Sequence, residues 1–446
     1  MKKTLLVVLS LLITVVNYAQ GIEFEHGTWA EILEKAKQTN KPIFVDVFTT
    51  WCGPCKRMSS EVFPLAKVGN EYNKSFICYK VDAEKGEGVS IARKYDVNAY
   101  PTYLFIKADK SLIMKSVGSM EADKFISLTE SVKEEMGTAR PISTWDREYA
   151  QKKKDTAFIL GYIHKRAKLG MQNAALFDEY LALLPNDQRA SKEVAELYRN
   201  EGRNIKLTSL AYKNLETNSL TLYGKLGFYI NSIMTSAIDN SFRESIKMEN
   251  EVLLQQVIDA NENLPKTEAS KQKEEFYIKY YKDNKVIDQY IKHANLYCEN
   301  SLMPVSLDSI EKLDKASAKV FEQTKSMYTA VFKDSEQIAE MKEYMTHLYR
   351  NKYSQALNEI AWGFFENVLD HKELENALTW SKRSIDIHPS EELVDTYANL
   401  LYKLGRKEEA IIKEKEALEI ARSNKSDTKT YEDVIKKMKS GEKTWK

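Results

Sequence analysis

Cys52 and Cys55 stand two residues apart in the string Trp51-Cys52-Gly53-Pro54-Cys55-Lys56. Thiols at that spacing can close a small disulfide ring and reopen it, so the pair is a candidate two-electron redox centre. The 446-residue chain holds four cysteines in all, and a disulfide-stapled scaffold would carry many more. A zinc site drawn from Cys52, Cys55, Cys78 and Cys298 fails on spacing, because structural zinc sites use two paired motifs. The histidines are scattered, with no His-x-x-x-His pair. No Gly-rich phosphate loop or nucleophilic Ser or Thr motif stands out. Neither a metal nor a cofactor is expected.

Such a dithiol works only where the fold presents it, at the join of a buried strand and a helix. The run Pro42 to Phe48 is continuously apolar with one acid, Asp46, inside it, as a central strand would be. A helix is expected from Gly53. Pro54 suits its first turn, since the missing N–H has no partner there anyway, and Gly53 permits the tight turn. Cys52 would then sit at a helix N-terminus, where unpaired N–H groups and the helix dipole favour the thiolate. Its pKa is expected to fall from about 8.5 toward neutrality. Asp46 would lie buried beneath the pair, where burial raises its pKa. It is either a working acid or a satisfied structural carboxylate, and an unpaired acid in an apolar strand is costly enough to need a reason.

The remaining signals of this region alternate. Thr28 and Glu31 have the spacing of a capping box, opening a helix to about Gln38. Phe76 to Val81 reads as a strand and Val89 to Tyr95 as a short helix. Thr102 to Lys107 and Leu112 to Val117 flank Ala108-Asp109-Lys110-Ser111 as a hairpin. Ala122 to Glu135 closes as a helix. An extra strand is possible near Ile22 to Phe24. The order β-α-β-α-β-β-α implies a mixed sheet with helices on both faces.

Asp46 to Lys56, with Tyr100-Pro101-Thr102 and Val117-Gly118, strongly resembles the thioredoxin family over about residues 22 to 135, most of all its secreted bacterial forms. The resemblance implies an α/β thioredoxin fold and thiol–disulfide exchange with protein clients. It implies that Asp46 takes the proton from Cys55. Pro101 is expected to be cis and opposite Cys52, with the backbone at Tyr100 pairing to an extended client as an added strand. Trp51, Gly53, Pro54, Tyr100, Pro101 and Thr102 form the expected client-binding set; Trp51 is alternatively a core filler. The chain departs from the family pattern in three places. Thr49 and Thr50 replace the commoner small and acidic residues, and Ser60 stands where many members kink the helix with Pro. A lysine often found near the buried acid aligns with Cys78. Cys78 is then either a third thiol near Cys55 or a buried core residue, the usual state of a free cysteine. Cys298 is read as core.

Residues 1–20 read as a secretory signal peptide. Lys2 and Lys3 precede an apolar run from Leu5 to Val16, too short to span a bilayer. An uncleaved anchor is the alternative. The thioredoxin-like domain is placed at 21–138, a linker at 139–145 and an all-helical domain at 146–446. Within the last, Ala377-Leu378 recurs as Ala410-Ile411, with Ala361 and Ala398 on the preceding helices. This resembles tetratricopeptide repeats over about 356–422. An irregular helical domain with two accidental matches is the other reading.

Lys and Arg total 66 against 65 acids, a net charge of +1, which argues against a nucleic-acid-binding surface. The reading is therefore a periplasmic or secreted thiol–disulfide oxidoreductase, expected to act as a reductant because of its Gly-Pro pair. A membrane or periplasmic reductase would supply electrons. The helical domain would bind a client or partner, raising its concentration near Cys52. A binding scaffold or holdase with an accessory dithiol is the alternative, and a thiol relay to one dedicated partner is a third.

Overall fold

Strand β1 (Ile43–Phe48) sits at the centre of a sheet because side chains on both its faces are apolar. Phe44 and its neighbours on alternate positions face one core, and Ile43, Val45 and Val47 face another. In the computed structural model, which describes residues 21–264, 272–331 and 335–445, the sheet order is β2-β1-β3-β4. β2 (Ile77–Asp82) runs parallel to β1, while β3 (Thr102–Ile106) and β4 (Leu112–Val117) continue the sheet antiparallel. The signal segment expected over 1–20 lies outside the described residues.

Helices α1 (Trp29–Thr39) and α4 (Glu87–Lys94) cover one face through Ile32, Ala36, Ile91 and Ala92. The capping box at Thr28 and Glu31 is formed. The other face is covered by α2 (Gly53–Arg57), α3 (Ala66–Ser75) and α5 (Ala122–Gly137). Its centre is aromatic: Tyr72 stacks on Phe125 at 4.4 Å and meets Phe44 edge-on at 4.8 Å.

One expectation needs correction. The segment Ile22–Phe24 is no strand, and only a single bridge joins Glu25 to Tyr79. The Ile22 and Glu23 N–H groups are spent on Phe63 O and Asn73 Oδ1 instead of on a ladder. The helix expected from Gly53 is formed. After α2 it widens into a π-type turn over Met58–Val62, closed by Phe63 N–H donating to Met58 O at 2.9 Å. Ser60 Oγ donates to Lys56 O within that turn, and Pro64 ends it, so α3 starts separately.

The strand signal ends at β4, and the chain is helical thereafter: α6 (Ile142–Lys152), α7 (Thr156–Lys168), α8 (Ala174–Leu183), α9 (Lys192–Glu201), α10 (Leu210–Thr217), α11 (Ser219–Leu226) and α12 (Tyr229–Lys247). Residues 139–145, read as a linker, hold a short turn and the start of α6. Packing divides the chain into two compact units, one through Ala237 and one from Ile238. In the first, the core of the aromatic sheet face continues without a break through Val132, Ile142, Ile159, Phe177 and Tyr198 to Ala237. Buried Glu135 fastens the helices to the sheet layer. It accepts from the Ile142 N–H at 2.6 Å and from Lys165 Nζ at 2.5 Å. Edge strand β4 is blunted at the same place, where Lys115 N–H donates to Leu169 O at 2.9 Å.

The second unit contains α13 (Glu251–Glu262), α14 (Lys273–Asp283), α15 (Ile287–Tyr297), α16 (Leu307–Val331), α17 (Ser335–Thr346), α18 (Leu348–Asn367), α19 (His371–Ile387), α20 (Glu391–Lys403), α21 (Lys407–Asn424) and α22 (Lys429–Ser440). Consecutive helices from α18 to α22 pack on one another. Ala361, Ala377, Ala398 and Ala410, one on each of α18 to α21, are fully buried, which lets helix axes approach closely.

Candidate redox centre

Cys52 occupies the N-cap position of α2 with extended backbone, and its Sγ accepts a hydrogen bond from the Cys55 N–H at 3.1 Å. The two sulfurs are joined as a disulfide. Pro54 falls in the first turn, where no N–H is missed. Cys52 and Cys55 are both buried, at 4% and 3% exposure. Trp51 is 64% exposed and so is no core filler. Its indole N–H donates to Glu84 Oε1 at 2.9 Å, and its ring meets Tyr100 edge-on at 5.9 Å. The Tyr100–Pro101 bond is cis. Gly118 N–H donates to Pro101 O, and Thr102 Oγ1 donates to Ala99 O, tying this loop to the start of β3. Burial, then the charges of Glu84 and Asp82, raises the Tyr100 hydroxyl's pKa.

Asp46 is 1% exposed and lies on the face of β1 that α2 and its continuation cover, the face of Phe44 and Met58. Burial raises its pKa and the Lys80 ammonium opposes that. Lys80 Nζ is 3.0 Å from Asp46 Oδ2. Oδ1 has no hydrogen-bond partner among the described residues. Tyr103 stands opposite Asp46 on β3, and burial together with the Asp46 charge pushes its hydroxyl up.

A lysine does face the buried acid, and it comes from position 80. The parallel register of β1 and β2 pairs Asp46 with Lys80 and places Cys78 against Phe44, two residues earlier on each strand. Cys78 is buried in the aromatic core, and burial pushes its thiol up to about 12. It is therefore an inert core residue, not a third working thiol. Lys80 and Glu84 are the site residues that sequence reading missed. The alternation of β2 carried a signal for Lys80, the one cation in a strand otherwise apolar up to its final acid. Cys298 is likewise buried, at the start of a π-type turn after α15.

A four-stranded mixed sheet, a helix opened by a cysteine pair and a cis-proline loop beside it define the class: a thioredoxin-like thiol–disulfide oxidoreductase. The family model Thioredoxin matches residues 22–131. Thioredoxin H4 of Arabidopsis thaliana is 37% identical over 98 residues, covering 22% of this chain and 77% of that protein. The chloroplastic thioredoxin Y of Oryza sativa subsp. japonica is 36% identical over 108 residues, covering 24% of this chain and 59% of that protein. Among solved structures, a candidate disulphide-isomerase from Bacteroides thetaiotaomicron is 42% identical, covering 26% of this chain and 95% of that one, with a TM-score of 0.25. The chain belongs to the thioredoxin family.

Proposed function

We propose that this protein is an extracytoplasmic reductant of protein disulfides, exported by residues 1–20, whose helical region binds a client or partner. The observation that carries the reading is the Cys52–Cys55 disulfide at the opening of α2, over a buried acid. In the dithiol form, Cys52 thiolate attacks one sulfur of a client disulfide, forming a mixed disulfide and releasing the other client sulfur as a thiolate that takes a proton from water. Asp46 accepts the proton of Cys55, whose thiolate attacks Cys52 Sγ. The second client thiol departs, and the protein ends in the disulfide form described above. Two electrons have passed to the client, and a membrane or periplasmic reductase must return them. The Gly53-Pro54 pair supports the reducing direction, since thioredoxins with potentials at about −270 mV are reductants.

Trp51, Gly53, Pro54, Tyr100, Pro101 and Thr102 are assigned to client binding: Trp51 as an exposed apolar platform and the Tyr100 backbone as an edge for an extended segment. The buried alanines of α18 to α21 support tetratricopeptide-like pairing over about 356–422, a stack that would present a concave binding face.

The test is a trap. Cys55→Ser protein, expressed in its own host, is expected to accumulate covalent complexes that a reducing agent dissolves and that vanish in Cys52→Ser. An empty trap from folded, exported protein would overturn the enzyme reading in favour of a helical binding scaffold or holdase.

A further inference from the structure

Lys80 is the middle link of a short polar chain. Its ammonium donates to Asp46 Oδ2 at 3.0 Å on one side and to Ser59 Oγ at 2.7 Å on the other. Three aromatic rings surround the same head group: Phe48 at 4.7 Å, Phe63 at 5.3 Å and Phe24 at 5.6 Å from Nζ to ring centroid. Rings attract an ammonium over a broad face but do not fix where its protons point. Only the two oxygens supply direction. Ser59 reaches Lys80 because it sits in the π-type turn Met58–Val62, where the helix carrying Cys55 widens over the sheet.

We propose that Ser59 is a positioning residue of the redox centre: its hydroxyl holds the Lys80 ammonium against Asp46 and so sets the pH at which Asp46 can take the Cys55 proton. This rests on the reading of Asp46 as the base given above. The lysine stem is long and flexible, and its side chain is 25% exposed. Without Ser59, water competes for the freed donor and draws the head group outward. The Asp46 carboxylate then loses part of the one opposite charge that stabilises it. The other titratable groups facing Asp46 are Tyr103 on β3, whose hydroxyl burial keeps protonated, and the dithiol itself. No other described cation forms an ion pair with Asp46.

The experiment uses the full chain, reduced, and Ellman's reagent, an aryl disulfide that needs no natural client. Cys52 attacks it, releasing one arylthiolate and leaving an aryl mixed disulfide. Cys55 then gives up its proton and attacks Cys52 Sγ, releasing the second arylthiolate and closing the Cys52–Cys55 bond. The second release therefore reads the step in which Asp46 acts. In Ser59→Ala its pH profile is expected to move up by about half a unit, making it about threefold slower on the acid side. The first release should stay unchanged. Ser59→Thr, which keeps the hydroxyl, should restore the profile. In a Lys80→Met background, Ser59→Ala should add nothing, as two residues acting through one contact require. A Ser59→Ala profile that coincides with the original, or a shift that persists in full without Lys80, overturns the inference while leaving the dithiol reading intact. Absence of any second release from the unaltered chain overturns both.

Discussion

Asp46→Asn separates what the buried acid contributes to the fold from what it contributes to chemistry, because the two effects have opposite signs. Asparagine has the same shape and no charge. The substitution removes the 3.0 Å charge-assisted bond from Lys80, worth roughly 1.5–3 kcal/mol. It also removes an ionised carboxylate that is 1% exposed, with one oxygen unpartnered among the described residues. The effective cost of burying such an ion is several kcal/mol. Lys80 is not stranded, since its side chain is 25% exposed and Ser59 still accepts from it. The balance favours asparagine by about 1–3 kcal/mol, or about 3–8 °C in the unfolding temperature of the first unit.

The pH dependence fixes the sign. Burial raises the Asp46 pKa in the folded state, so the folded chain keeps a proton that the unfolded chain releases above about pH 3.9. Stability of the unaltered protein therefore declines as pH rises from that point until the folded carboxyl has also ionised. The asparagine variant has no such decline, so its advantage is smallest near pH 4 and complete at alkaline pH. Activity moves the other way. A positioned base contributes about 10²–10⁴-fold, so closing of the disulfide by Cys55 should slow by at least about 100-fold, and mixed disulfides should accumulate. Thermal unfolding at pH 4.5 and 8, together with single-turnover arylthiolate release, measures both. A variant less stable at both pH values and undiminished in turnover would refute the reasoning and make Asp46 a structural partner of Lys80.

Two further substitutions test the frame around the site. Gly170 has a φ of +69°, and a Cβ there would lie 1.9 Å from Lys115 O. Gly170→Ala should lose about 3 kcal/mol or more in denaturant titration, from roughly 1–2 kcal/mol of left-handed strain plus the forced opening of the Lys115–Leu169 bond. Unchanged stability would show that this turn does not hold β4. In the second unit, Asp395 and Glu414 are paired buried carboxyls on α20 and α21, both raised chiefly by burial, and Glu414 also by its neighbour's charge. One retained proton makes folding weaken by about 1.4 kcal/mol per pH unit above the ordinary carboxyl range. Glu414→Gln should flatten that slope between pH 5 and 7 and raise the second unit's unfolding temperature at pH 7. A slope that survives the substitution would assign it to other groups.

The sequence spoke most clearly where one residue type had no alternative use. Cys52 and Cys55 at their spacing and an acid inside the apolar run Ile43–Phe48 pointed to the redox centre through local chemistry, and Pro101 after an aromatic residue did so through the family resemblance. Lys80 was missed because its role depends on the register of two strands that lie far apart in sequence. Asp46 meets Lys80 rather than Cys78 only because β1 and β2 align Ile43 with Ile77. Glu84 was missed for a similar reason, since its bond to Trp51 depends on the loop after β2. The break after Arg57 was half legible. Ser60 marked a departure from the usual helix kink, but the π-type turn depends on the packing of Met58 and Val62 against the sheet.

The reach of the first unit shows why composition alone does not draw its edge. Strand signals stop at β4, and a reader of periodicity places a border soon after. Yet a thioredoxin fold that ended at Gly137 would leave the buried carboxylate of Glu135 and the Lys115 N–H without the partners they have here. Both are satisfied by residues after 141, Glu135 by Ile142 and Lys165 and the Lys115 N–H by Leu169, and the apolar core runs on there through Ile142 and Ile159. An amphipathic helix declares in its sequence that one face must be covered, but not by what. The β4 edge that these helices blunt pairs with β3, and β3 begins at Thr102, directly after the cis Pro101. The helical extension that looked separable in composition is thus bonded through Leu169 to β4, the strand that pairs with β3 after the cis-Pro101 loop.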